Sequence, residues 1–190
     1  MTRVLVTGGA RSGKSRWAEA RIGPASARYL ATGYPPGDDA EWAARVRVHR
    51  QRRPAAWQTL ETLDVAAVLR DADPRPVLVD CVTLWLTRTL DGAGAWDATG
   101  DDVRVLVDTA VDELVAAFRA CPAEAVLVTN EVGSGVVAPT PAGRLFADLL
   151  GQTNARLAEA AELVVLTVSG LPLTLKPAHR CEPTPGALHD

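Results

Sequence analysis

Lysine is almost missing from this sequence. Of its twenty basic residues only Lys14 and Lys176 are lysines, and the rest are arginines. A compact ammonium is therefore spent at two places, and a guanidinium fork serves everywhere else. Cysteine is equally scarce. Cys81, Cys121 and Cys181 are odd in number and widely spaced, which excludes a disulfide framework or a cysteine zinc site and fits a reducing, cytoplasmic setting. No apolar run reaches the roughly 20 residues of a membrane-spanning helix. The opening RVLVTGG reads as a strand, too short and too glycine-rich for a secretory signal. An excess of positive charge is lacking too. The formal net charge is −3, which argues against nucleic-acid binding driven by overall charge and leaves only a local basic site open.

What is present is the composition of an ordinary globular chain: 190 residues, 47% hydrophobic and 23% charged, enough for one domain with a proper core. Five short apolar runs recur, VLVTG from Val4, RYLATG from Arg28, PVLVDC from Pro76, AVLVTN from Ala125 and ELVVLTVSG from Glu162. They are continuous rather than alternating, as strands buried on both faces should be. Helical spacing follows or precedes them in SRWAEARI, in DDAEWAARVRVHRQRR with Asp38 or Asp39 as N-cap and Pro54 as stop, in DDVRVLVDTAVDELVAAFRAC and in AGRLFADLLGQTNARLAEAA. This alternation predicts an α/β fold with a mostly parallel sheet covered by helices on both faces. DGAGAWDATGDD reads as a loop. Residues 1–177 are expected to form one domain and 178–190 an irregular tail. In such a sheet ligands bind beyond the C-terminal strand ends, which singles out Gly8 to Ser15, Thr32 to Tyr34, Asp80, and Asn130 to Gly135.

The first of these carries the sharpest chemistry. Gly8, Gly9, Ala10, Arg11, Ser12, Gly13, Lys14 and Ser15 fit G-x-x-x-x-G-K-S, after a strand and before a helix. Glycines let the backbone wrap phosphate oxygens, amides point inward, and the helix N-terminus adds positive potential. Lys14 would reach the β- and γ-phosphates and Ser15 a Mg²⁺ ion. The competing explanation is a glycine-rich turn without a ligand. Such a site also needs a carboxylate on the metal side. Asp80, closing PVLVD, fits that role, or else caps the next helix.

The second signal is ARVRVHRQRRPAAW. Trp42, Val46, His49 and Arg53 fall on one helix face, so His49 alone reads as a partly buried core histidine. Around it stand Arg45, Arg47, Arg50, Arg52 and Arg53, with no acid between Arg45 and Pro54. Five guanidinium groups in nine residues repel one another unless something negative is present, and a triphosphate would satisfy them. Nearby positive charge also disfavours the imidazolium, leaving a neutral ring able to attack phosphorus.

GGARSGKS, YLATG, DDAEWAARVRVHRQRRPAAWQTLE, VLVDCVTLWLT, VLVTNEVGSGVVAPTPAGRLFADLLGQTNARLAEAA and VVLTVSGLPLTLK together resemble the bifunctional adenosylcobinamide kinase / adenosylcobinamide-phosphate guanylyltransferase family, in order from Arg3 to Lys176. The resemblance implies a RecA-like P-loop NTPase fold, a homotrimer, and Mg²⁺ with GTP and ATP as nucleotide substrates. It implies two reactions of cobalamin nucleotide-loop assembly. Adenosylcobinamide is phosphorylated on its aminopropanol hydroxyl. GMP then passes from GTP through a histidine to adenosylcobinamide phosphate, giving adenosylcobinamide-GDP and pyrophosphate. The guanylylated histidine of the family falls on His49, with Lys14 as the other catalytic group. Its nucleotide-binding positions fall on Gly8 to Ser15, on Ala31, Thr32 and Gly33, on Arg50, Gln51, Arg52 and Arg53, on Glu61 and on Asp80, with Ser15 and Asp80 on the metal.

Without the resemblance Glu61 reads as a surface glutamate, whereas a carboxylate near a nucleotide binds ribose hydroxyls or the guanine edge. Asn130 and Glu131 either position the hydroxyl and the metal or cap and hydrogen-bond locally. The departures are small. Asp80 stands where glutamate also occurs, GYPPGDD carries two prolines before the His49 helix, and DGAGAWDATG reads as a variable loop. The rival readings are a kinase with a structural His49, a nucleotide-switched binding protein, and a RecA-type motor on nucleic acid, against which the net acidity weighs. No nucleic-acid or membrane partner is expected.

Overall fold

The computed structural model describes residues 1–96 and 101–177. The chain runs β1 (Arg3–Gly8), α1 (Lys14–Ile22), β2 (Arg28–Ala31), α2 (Ala40–Arg52), β3 (Gln58–Glu61), α3 (Val65–Arg70), β4 (Val77–Asp80), α4 (Val82–Gly92), α5 (Asp101–Ala120), β5 (Ala125–Val128), α6 (Pro141–Ala160), β6 (Leu163–Val168) and β7 (Leu171–Lys176). One seven-stranded sheet has the order β3-β2-β4-β5-β1-β6-β7, parallel except for β7. The five predicted strands are all present and central. Two more lie at the sheet edges, where the sequence signal is weakest. β3 buries no residue fully, and β7 is exposed along most of its length. Pro172 is tolerated in β7 because that strand pairs only with β6.

Side chains of the inner strands alternate between two cores. Val4, Val6, Tyr29, Leu78, Val126 and Val128 pack on one face with Ala18 of α1. Leu5, Leu30, Val79 and Leu127 pack on the other with α3 to α6. Each such aliphatic side chain contributes about 1.5–3 kcal/mol by leaving water. The register then lines up the functional edge. Glu61 pairs with Ala31, Ala31 with Asp80, and Asp80 with Val128, so four strands end level with one another. β5 lies between the strand that feeds the phosphate loop and the strand that ends in Asp80.

Local signals set the helix ends. Asp39, not Asp38, caps α2, its side chain accepting from the Trp42 amide at 2.9 Å. Thr140 caps α6, and Pro141 occupies its first turn. The expected loop DGAGAWDATGDD is corrected on both sides. α4 continues through Gly92, and α5 begins at Asp101. Trp96 donates to Asp91 across the turn that follows α4 and meets the ring of Phe146 of α6 at a tilt, which anchors this segment to the core. Residues 97–100 of that loop and the expected tail 178–190 lie outside the described residues. Lys176, the second lysine, donates to the carbonyls of Ala158 and Glu159 at 3.1 and 2.8 Å, a cation at the C-terminal end of α6.

Candidate active site

The phosphate loop is shaped by contacts that leave no room for side chains. A Cβ on Gly8 would lie 2.5 Å from Ser12 Oγ and 2.6 Å from the Thr167 carbonyl. Gly13 has φ +98° and approaches the Gly170 Cα at 3.2 Å when given a Cβ. Arg11 also adopts a left-handed φ of 58°. The loop is braced from the β6–β7 turn: the Gly170 amide donates to the Ser12 carbonyl at 2.9 Å, and the Ser12 and Thr167 hydroxyls share a 2.7 Å hydrogen bond. Gly9, Ala10 and Arg11 are exposed above it. Lys14 folds back to donate to the Gly9 carbonyl at 3.1 Å, across the mouth of the loop. Partial burial lowers its pKa, with the Asp80 carboxylate opposing the shift. An ammonium desolvated in this way gains from a polyanion.

Asp80 is the centre of the site. Its Oδ1 accepts from Ser15 Oγ at 3.4 Å, and its Oδ2 accepts from the Tyr29 hydroxyl at 2.8 Å. The same Oδ2 lies 3.7 Å from His49 Nδ1. A hydroxyl and a carboxylate oxygen converging beside the phosphate loop are the hard oxygen donors that suit Mg²⁺, which takes few protein ligands and completes its shell with phosphate and water. Among the described residues no three His, Cys, Asp or Glu side chains form a metal-binding cluster. Cys81, next to Asp80, is no nucleophile: burial, reinforced by the adjacent carboxylate, pushes its thiol up to about 12.

His49 is brought to this centre rather than into the core. Its side chain is 36% exposed, partly buried as its place on the helix face suggests, and its Nδ1 lies 3.7 Å from Asp80 Oδ2. α2 buries none of its residues fully, and an aromatic contact fixes its start. Trp42 packs on Gly33, where a Cβ would come within 2.9 Å of the indole, and its Nε1 donates to the Tyr34 carbonyl at 2.9 Å. Burial lowers the His49 pKa below its ordinary value. Asp80 and Glu19 oppose this, and Arg52 and Arg53 reinforce it. The shift has the direction expected from the arginines, with desolvation as its first cause.

The arginines correct one expectation. Three of the five find partners within the chain, drawn from other elements. Arg50 pairs with Glu61. Arg52 lies 3.1 Å from Glu19 and 3.3 Å from His49 Nδ1. Arg53 donates to Thr59 Oγ1 at 3.0 Å and lays its guanidinium 3.5 Å over the Tyr29 ring. Repulsion along α2 is thus relieved without a ligand. Arg50, Arg53, Trp57, Thr59 and Glu61 line a groove of about 330 Å³ at the β3 edge.

The remaining candidates divide. Thr32 is fully buried, and its hydroxyl is used on the Cys81 backbone, donating to the carbonyl at 2.7 Å and accepting from the amide at 2.9 Å. The carbonyls of Thr32 and Gly33 accept from Arg88. Gln51 lines a second hollow with Pro36, Ala43 and Arg47, and no contact joins it to Asp80 among the described residues. Asn130 and Glu131 stand beside the phosphate loop. The Glu131 amide donates to the Gly8 carbonyl at 3.1 Å, and buried Thr83 and Asn154 hold the Asn130 backbone. Sequence reasoning passed over Tyr29 and Glu19. A tyrosine inside a strand buried on both faces requires a partner for its hydroxyl, and that requirement was the available signal.

This arrangement sets a phosphate loop, an acidic pivot and a partly buried imidazole around one point. The sequence profile of the family described as cobinamide kinase / cobinamide phosphate guanyltransferase matches residues 4–175. The chain belongs to that family. It is 44% identical over 181 residues to the bifunctional adenosylcobalamin biosynthesis protein CobU of Escherichia coli (strain K12), covering 91% of this chain and 99% of the relative. It is 43% identical over 183 residues to the protein of the same name from Salmonella typhimurium, with the same shares covered. Among solved structures, the ATPase EscN of the enteropathogenic E. coli type III secretion system superposes with a TM-score of 0.51 at 12% identity, over 88% of this chain and 43% of that one. That likeness shows the fold alone, and the fold is the P-loop NTPase arrangement the resemblance implied.

Proposed function

We infer that this chain carries out both reactions named for its family, the phosphorylation of a cobinamide and the transfer of a guanylyl group to the product. In the kinase step the phosphate loop presents the γ-phosphate of ATP or GTP to the aminopropanol hydroxyl of adenosylcobinamide, with Lys14 and the loop amides balancing charge on the transferring group. In the transferase step His49 attacks the α-phosphorus of GTP, and the bond to pyrophosphate breaks. The guanylyl group then passes from the histidine to adenosylcobinamide phosphate, giving adenosylcobinamide-GDP. Ser15 and Asp80 would hold Mg²⁺, which when bound supplies charge neutralisation at the phosphates. Glu61, at the rim of the β3 groove, is suited to the guanine edge or the ribose.

The observation that carries this reading is the approach of His49 Nδ1 to Asp80, itself hydrogen-bonded to Ser15 of the phosphate loop. This places an imidazole beside the carboxylate that faces the phosphate loop, where a nucleophile on the α-phosphorus would have to stand. The proposed setting is the cytoplasm, and no helix among the described residues is long and apolar enough to cross a membrane. The proposed assembly is a homotrimer, supported by the exposed apolar residues Val168, Leu171, Leu173 and Leu175 of the β6–β7 hairpin.

The test is retention of label from GTP labelled at the α-phosphate, after denaturation. Acid-labile, alkali-stable label that is absent from His49→Ala is expected, together with kinase activity that persists in His49→Ala. No label on protein shown to bind GTP would return the chain to a kinase or a nucleotide switch.

A further inference from the structure

Tyr29 touches both halves of the transferase centre, yet neither the motifs nor the family description give it a part. It is 2% exposed and lies in β2, one strand from Asp80 in the sheet. Its hydroxyl donates to Asp80 Oδ2 at 2.8 Å. One ring face receives the Arg53 guanidinium at 3.5 Å, and Trp57 stacks against the ring with centroids 6.2 Å apart. Arg53 is the C-cap of α2, four residues beyond His49. Its Nε is buried without a hydrogen-bond partner, so the ring face is what compensates that part of the cation. One side chain therefore holds the carboxylate through its oxygen and the end of the nucleophile's helix through its ring.

We propose that Tyr29 is a positioning residue of guanylyl transfer, fixing Asp80 Oδ2 where it accepts the Nδ1–H of His49 and so directing the Nε2 lone pair at the α-phosphorus. This rests on the guanylyl-histidine reading above. His49 Nδ1 has two neighbours, the Arg52 guanidinium at 3.3 Å and Asp80 Oδ2 at 3.7 Å. An arginine can only donate, so contact with Arg52 leaves the proton on Nε2 and blocks attack from there. Contact with Asp80 does the reverse. When Arg52 turns to a phosphate, the ring is left with Asp80 alone. Attack then forms the Nε2–P bond with the Nε2 lone pair and breaks the P–O bond to pyrophosphate, which leaves with that electron pair. The proton stays on Nδ1, the ring becomes cationic, and the carboxylate offsets the new charge.

The two oxygens of Asp80 differ in what secures them. Oδ1 faces Ser15 and the phosphate loop, whose charges hold it whether or not the tyrosine hydroxyl is present. Oδ2 has the tyrosine and a longer approach to His49. Loss of the hydroxyl should thus cost guanylylation far more than phosphorylation.

The experiment compares wild type and Tyr29→Phe in three readings on the same preparations: single-turnover labelling by α-labelled GTP at saturation, GTP affinity by equilibrium binding, and kinase activity on adenosylcobinamide. The labelling rate constant is expected to fall about tenfold, the scale on which removal of an outer-shell hydrogen bond acts. GTP affinity and kinase turnover should stay within about threefold of wild type, because Oδ1 is untouched. A misfolded fraction would lower all three readings alike. An equal loss in both activities, or no loss in labelling, overturns the role of Tyr29 while leaving the histidine in place. Tyr29→Leu, which also removes the support under Arg53, should slow labelling further than Tyr29→Phe, and labelling equal to that of Tyr29→Phe overturns the ring's part. A wild-type protein that takes no label overturns the guanylyl-histidine reading and this inference with it.

Discussion

At Gly8 the space for a side chain is already filled. A methyl group there would overlap Ser12 Oγ and the Thr167 carbonyl, and the second is backbone that cannot turn aside. Gly8→Ala is expected to cost about 1–3 kcal/mol of stability, as overpacking does, and to abolish nucleotide binding because the loop itself must shift. A denaturant melt and a GTP-binding assay check both parts. His49 gives a prediction in pH. Its pKa lies below the ordinary 6.5, first because burial disfavours the cation. The unfolded chain therefore binds more protons between the folded value and 6.5, and stability is lost as pH falls through that window. A nuclear magnetic resonance titration of the ring in nucleotide-free protein should give a midpoint below 6.5, and His49→Gln should remove that part of the acid sensitivity. The loop glycines, Asp80 and His49 were legible as candidates because a glycine-rich turn, a carboxylate at a strand end and a run of arginines are local patterns. Tyr29 was not, because its partner Asp80 is 51 residues away and only strand pairing brings them together.

α2 is attached chiefly by its ends, Trp42 on Gly33 at the start and Arg53 on Tyr29 at the finish, with no buried side chain of its own between. An element so held moves as a unit when one attachment is cut. Trp42→Ala should displace His49 by enough to slow guanylylation about tenfold or more, since an error of about 1 Å in a reacting group can cost a hundredfold. The kinase step, which uses no atom of α2 in the proposed mechanism, should keep most of its rate. Side-by-side assays of the two reactions decide it, and equal loss in both would refute the separation. The helix itself was readable from its Asp39 cap, its spacing and Pro54. The pairing of Arg50 with Glu61 and of Arg52 with Glu19 was not, because the acids come from β3 and α1. β3 and α4 also escaped the sequence reading. QTLE has too little apolar content to announce a strand, and VTLWLTRTLDG opens on β-branched residues and ends in what resembles a loop.

Over the whole molecule, the apolar runs gave the five central strands and the parallel sheet, and the edges were left to pairing partners that no local pattern states. β7 is the clearest case. Leu171 and Leu173, paired with Val168 and Leu166, form an exposed apolar stripe, and the register shift between Val164 and Val165 breaks the alternation at Leu175 before Lys176, which is tied to α6. Such a stripe is rarely left uncovered on an edge strand. Leu173→Lys is expected to reduce the size of the particle in sedimentation while leaving the fold of each subunit intact by circular dichroism. An unchanged particle would remove the hairpin from the interface.

The turn of that hairpin is also what braces the phosphate loop, through the Gly170 amide on the Ser12 carbonyl and the Thr167 hydroxyl on the Ser12 hydroxyl. If the hairpin is the seam between subunits, a neighbour that stiffens it stiffens the nucleotide cradle as well. Affinity for GTP then ceases to be a constant of the single chain. It should weaken as the protein is diluted below its assembly concentration, and GTP should in turn hold the assembly together, since two equilibria that share one piece of structure must move each other.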